Sequence, residues 1–156
     1  MAPANPVRDF GHSHVHLGEL TRELAALLGD DAGTISTEAR HKLPALASEL
    51  RHELLEHFAN EEEVLFPFIR EHFPGQRDAV DRLHAAHDVI CGTLVRFSFL
   101  AERGGELSSD ARQAFERFET AYGKHSRDEA ALLDEVGQML TPAQQAELEV
   151  LLSELG

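Results

Sequence analysis

The chain has 156 residues, with 28 Asp+Glu against 14 Lys+Arg and a formal net charge of −14; it is long enough for one domain with its own core, and so acidic a surface excludes nucleic acid and anionic membranes as partners. The single cysteine, Cys91, excludes an internal disulfide and suits the reducing cytoplasm, the expected location. The opening MAPANPVRDF lacks the basic and apolar regions of a secretory signal, and no apolar run is long enough to span a bilayer.

Between short clusters of Gly, Pro, Ser and Thr, apolar residues recur every three or four positions, the helical period, and alternating strand patterns are scarce. A first helix is expected over about 9–29, with an inward stripe of Phe10, His14, Leu17, Leu20, Leu24 and Leu27. A second is expected over 37–72, its stripe reading Leu43, Leu46, Leu50, Leu54, His57, Glu61, Val64 and Phe68. Pro44 is a candidate for its true start and Pro67 for a kink or an end, since proline lacks a backbone donor and crowds the preceding turn. After Phe73-Pro74-Gly75, a third helix over 77–103 carries Val80, Leu83, His87, Ile90, Leu94 and Phe97. Beyond Gly104-Gly105 and Ser108-Ser109, a fourth over 109–139 carries Phe115, Phe118, Tyr122, His125, Glu129, Leu132, Val136 and Met139. Thr141, Pro142 and Gln144 read as N-cap, first helical residue and capping-box partner of a short fifth helix over 142–154. Short connections favour antiparallel neighbours. The predicted fold is therefore all-α: an up-down-up-down four-helix bundle with a short C-terminal fifth helix, one domain over 1–156 with its core bundle at about 9–139.

Four histidines and two glutamates interrupt the otherwise apolar stripes: His14, His57, Glu61, His87, His125 and Glu129. Burying a charged carboxylate in a core costs several kcal/mol or more unless something pairs with it. A shared metal site removes that penalty, and the four-residue spacing of His57–Glu61 and His125–Glu129 stacks each pair on one helix face. Imidazole with carboxylate suits Fe, Mn or Zn. Six ligands exceed the need of a closed tetrahedral zinc and match two octahedral irons that share carboxylates and keep open positions. The same spacing occurs at His52–Glu56 and His12–His16, but both pairs miss the stripe and are assigned to the surface.

The segment HFANEEEVLFPFI, from His57 to Ile69, resembles the second-helix motif of the hemerythrin-like, or HHE cation-binding, family; HSRDEAALL, from His125 to Leu133, is similar to its fourth-helix counterpart. His14 and His87 match the single histidines of the first and third helices, so the resemblance covers roughly 10–139. It implies a non-haem centre of two Fe ions, with no haem, in which Glu61 and Glu129 bridge and His14, His57, His87 and His125 are terminal ligands. The chain departs from the oxygen-carrying branch, which has His-x-x-x-His on the third helix and Asp five residues after the fourth-helix His. Here Leu83 and Cys91 flank His87 at four residues, and Ala130 stands at the Asp position. These departures point to family branches tied to iron handling, nitric-oxide repair or oxidative-stress chemistry.

The resulting expectation is a di-iron protein reacting with O2, H2O2 or NO, with peroxidase-, catalase- or oxidase-like turnover as the enzymatic form and an unspecified redox partner. The alternative is a non-catalytic iron or oxygen sensing, storage or carrier module. A ferritin-like bundle is disfavoured: it needs inward Glu-x-x-His on two helices, and Glu49-Leu-Arg-His52 faces outward. A zinc-bound structural protein is a further, weaker reading. Tyr122 is read as either a donor towards the site or a core aromatic, Glu53 as a solvated residue or an alternative or outer carboxylate, and Cys91 as a small core residue or one close to the metals, a turn after His87. His16, His41, His72 and His84 are assigned to the surface, and Glu62 and Asp128 to solvent or the layer around the ligands.

Overall fold

The computed structural model describes the backbone of residues 6–29, 35–103 and 107–154, and side chains from residue 15 onward within those ranges. Six α-helices form among them: α1 (Pro6–Leu28), α2 (Thr37–Asn60), α3 (Phe66–His72), α4 (Arg77–Glu102), α5 (Ser109–Met139) and α6 (Pro142–Ser153). Local chemistry sets most ends. Ser36 and Ser108 cap α2 and α5, each hydroxyl accepting the backbone N–H three residues on at 3.1 Å. Gly29, at φ 67°, ends α1 in the left-handed region that glycine enters without a Cβ clash. Thr141 and Gln144 close the expected capping box around Pro142, with bonds of 3.0 and 3.1 Å.

The second stretch is helical over the expected 37–72 and passes both prolines, whose effect the sequence left open. It begins at Thr37, so Pro44 lies inside α2 and does not mark its start. It does not end or break at Pro67 either. A five-residue π turn, Glu61–Leu65, joins α2 to α3, and the chain stays helical to His72. In that turn the Phe66 N–H donates to the Glu61 carbonyl, five residues back. The wider winding just before Pro67 relieves the crowding that a proline imposes on a tight α turn.

Helix α1 packs on α2 and α5, and α4 packs on α2 and α5, which closes the four-helix bundle. Two apolar clusters fill it. One holds Leu17, Leu24, Leu50, Leu54, Phe58, Ile90, Leu94, Phe118 and Tyr122. The other holds Val64, Leu65, Phe66, Leu83, Leu132, Val136 and, from α6, Leu148. Most stripe residues expected inside are buried, but Leu27 and Leu46 are only partly covered and Met139 is 43% exposed. Met139 is the last residue of α5, where the stripe runs off the packed surface.

Candidate metal centre

A polar layer lies where the two apolar clusters meet. α2 contributes His57 from its last turn, the π turn contributes Glu61 as its first residue, α4 contributes His87, and α5 contributes His125 and Glu129. None of the five is more than 3% exposed. Their four-residue spacings on α2–π and α5 stack each His and Glu pair on one face, as the helical repeat requires.

The carboxylates reach across the layer. Glu61 aims Oε1 at His57 Nε2 (2.5 Å) and Oε2 at His87 Nε2 (3.1 Å), and the same Oε2 lies 3.9 Å from His125 Nε2. Glu129 aims Oε2 at His125 Nε2 (3.0 Å) and Oε1 towards His57 Nε2 (3.9 Å). Each carboxylate therefore spans from His57 on one side to the His87–His125 side on the other. Two triads result, Glu61–His87–His125 and His57–Glu61–Glu129, each with its donor atoms within 4.8 Å of one another, and they share Glu61.

Burial, and then the charge of Glu129, pushes the Glu61 carboxyl well above its usual 4.5. Burial likewise lowers His87 to about 4, against the upward pull of Glu62. Glu61 Oε1 and both ring nitrogens of His125 are sealed from solvent and make no hydrogen bond of proper geometry among the described residues. Buried polar atoms left in that state cost about 1–3 kcal/mol each. A cation bound by Glu61 Oε1 and one nitrogen of His125 would remove that cost at the atoms it meets, and imidazole nitrogen with carboxylate oxygen is a donor set that iron, manganese and zinc accept. The residues present fit such an ion.

The structure thus brings together five of the six residues singled out from sequence. The sixth, His14, has its backbone in α1, but its side chain lies outside the described residues, as does that of His12. The His52–Glu56 pair is at the surface, with side chains 80% and 64% exposed. His16, His41 and His84 are exposed as expected. His72 is a correction: it is half-buried, 3.2 Å from Glu147 of α6, because α6 folds back over that end of the bundle. Tyr122 is a core aromatic, stacked on Phe118 at 5.7 Å, its hydroxyl hydrogen-bonded with Ser126 and its proton held by burial. Cys91 is half-buried against the first apolar cluster, and burial pushes its thiol up, away from reactivity. Glu53 is half-buried and belongs to neither triad. Asp128 is paired with Lys124 at 2.7 Å in solvent.

Glu62 is what the sequence reading placed too loosely. Its Oε1 lies 3.1 Å from His87 Nδ1, on the opposite edge of the ring from Glu61. The run Glu61-Glu62-Glu63 offers three adjacent acids, and an α-helical phase sends the second away from the face of the first. The π turn begins at Glu61, and from it both acids meet one ring.

Fold and cluster together define an all-α bundle built around a buried His/Glu layer whose donors could hold a cation. The chain belongs to the Hemerythrin HHE cation binding domain family, whose profile matches residues 5–152. Comparison with curated proteins and with solved structures gave no match.

Proposed function

We propose that this protein holds two iron ions in the His/Glu layer and reacts with O2, H2O2 or NO. The observation that carries the reading is the pair of buried triads sharing Glu61. Two donor sets with a common carboxylate suit two adjacent ions better than one. In this reading Glu61 and Glu129 bridge, since each turns one oxygen to His57 and the other to the His87–His125 side. His57, His87, His125 and His14 are the terminal ligands. Iron bound there would supply a reversible one-electron couple and a Lewis acid for small oxidants.

The protein's own part is to fix the donors and exclude bulk water. A groove of about 630 Å³ between α4 and α5 reaches His125 past Leu83, Ala86, Ala121 and Leu132, and it gives small uncharged molecules a route towards the layer. The near-complete burial of the donors is what favours the second reading, a non-catalytic iron or oxygen sensing, storage or carrier module. The two readings differ in turnover. The proposed setting is the cytoplasm, with a redox partner of unspecified identity. Among the described residues no helix is long and apolar enough to cross a membrane.

The test is an anaerobic Fe(II) titration followed by elemental analysis and optical spectra, then O2, H2O2 and NO in turn. About two irons per chain and an oxidant-dependent spectrum are expected. One iron or none in well-folded protein would overturn the di-iron assignment.

A further inference from the structure

We propose that Glu62 is a positioning residue for this centre: its carboxylate holds His87 in the tautomer and plane that present Nε2 to the bound cation, and His84 braces Glu62 from the solvent side. The inference rests on His87 being a ligand and extends that reading to the residue that orients it.

Adjacent side chains on an α-helix point about 100° apart, because the repeat is 3.6 residues. Glu61 and Glu62 nevertheless meet the same imidazole. Glu61 Oε2 lies 3.1 Å from His87 Nε2, and Glu62 Oε1 lies 3.1 Å from His87 Nδ1. The π turn that begins at Glu61 makes this possible, since its wider winding brings successive side chains closer in direction. π turns are rare and concentrate at functional sites. This one falls at the residue shared by both triads.

The His87 ring is held on every side. Phe58 stacks on one face, with centroids 3.6 Å apart and planes at 8°, and Phe66 packs at 5.5 Å and 27°. That leaves rotation within the ring plane and the choice of tautomer, and Glu62 settles both. A neutral imidazole carries one N–H. With Nδ1–H donating to the Glu62 carboxylate, the lone pair stands on Nε2, the nitrogen that faces Glu61 and the layer. An anionic acceptor on Nδ1–H also makes Nε2 a stronger donor, the usual effect of a carboxylate behind a ligating histidine.

The brace continues outward. His84 Nε2 lies 3.0 Å from the same Glu62 oxygen, and the two side chains are 47% and 37% exposed. His125 makes the contrast: its Nδ1 has no hydrogen-bond partner among the described residues. His87 therefore has a brace that His125 lacks.

The experiment compares Glu62→Ala, Glu62→Gln and Glu63→Ala with the unmodified chain, using Co(II) as a redox-inert probe and Fe(II) under anaerobic conditions. Affinity is read by chelator competition and ligand geometry by the visible Co(II) bands. Glu62→Ala should weaken binding about 10- to 100-fold and shift the bands. Glu62→Gln keeps a neutral acceptor and should recover part of the loss. Glu63→Ala removes an exposed neighbouring acid and should change neither. Wild-type affinity and bands in Glu62→Ala would overturn the proposal, as would an equal loss in Glu63→Ala, which would mark a bulk charge effect. Matched melting curves of the apo variants check folding, and if Glu62→Ala does not fold, Glu62→Gln decides. Failure of the unmodified chain to bind either ion would overturn the reading of the layer itself, separately from Glu62.

Discussion

His52–Glu56 and His57–Glu61 share one spacing and have opposite fates. Five residues advance a helix by about 140° beyond a full turn, enough to carry the first pair from core to solvent. The outer pair sits 3.8 Å apart with both side chains mostly exposed, while the inner pair is buried at 2.5 Å. An exposed pair of this kind contributes about 0–1 kcal/mol; the inner one sits sealed from solvent among the other donors of the layer, where the proposed cation would be held. His57→Ala and His125→Ala should therefore abolish stoichiometric cation uptake, whereas His52→Ala should leave it intact, as measured by elemental analysis after reconstitution. Equal loss in His52→Ala would contradict the assignment of uptake to the buried layer rather than the surface pair.

At the scale of elements, the bundle relies on neighbours to finish what individual helices leave open. Neither α1 nor α4 has a basic residue in its last turn. Arginines from other helices supply the missing positive charge. Arg112 of α5 donates to the Leu28 carbonyl at 2.8 Å, and Arg40 of α2 donates to the Ala101 carbonyl at 2.6 Å and to that of Arg103. Arg40→Ala should cost about 1–2 kcal/mol in urea unfolding, the value of a partly exposed charged hydrogen bond. Helix α6 is likewise structural, because it places Leu148, fully buried, in the cluster beneath the polar layer. Leu148→Ala should cost about 2–4 kcal/mol. Val150→Ala, at a position 57% exposed, should stay within about 0.5 kcal/mol. Similar losses in the two variants would show that α6 does not seal the core.

The molecule as a whole folds around a buried layer whose burial disfavours the charged forms of Glu61 and His87. In the apoprotein Glu61 holds its proton above the usual 4.5, because of burial and then Glu129. The unfolded chain loses that proton above 4.5, so the Glu61 contribution is full below it and is lost as pH rises through the raised value. His87 has the opposite sign. It stays neutral in the fold to about 4, while the unfolded imidazole titrates at 6.5, so its contribution is full above 6.5 and is lost as pH falls towards 4. A cation takes deprotonated ligands and displaces the Glu61 proton. Binding only to the native state, it should raise Tm, and more at pH 8 than at pH 5.5. Calorimetry of apo and loaded protein at both pH values checks this; equal melting temperatures at pH 8 would contradict it. Stopped-flow mixing of the reduced, iron-loaded protein with O2, followed by argon purging, separates turnover from carriage. Irreversible conversion is expected, and full reversion to the reduced spectrum would favour the carrier reading.

Helix identity, the inward stripe and the chemistry of the layer were legible in the sequence. The helical repeat is local: once apolar residues fix the phase, as Leu50, Leu54 and Val64 do around His57 and Glu61, the facing of intervening polar residues follows. The capping box at Thr141–Gln144 was legible for the same reason, since its bonds span three residues. Tertiary structure decided what depends on the relative rotation of packed helices. That includes which oxygen of Glu61 meets which histidine, the fate of His72 beneath α6, and the π turn by which the expected helix passes Pro67. It also includes the choice for Glu62 between solvent and the layer around the ligands, and the ring it meets there. The π turn at Glu61 breaks the α-helical phase, and where a helix breaks phase is set by the packing around it: here Phe66 against His87, and Leu65 and Ile69 in the core on either side of Pro67.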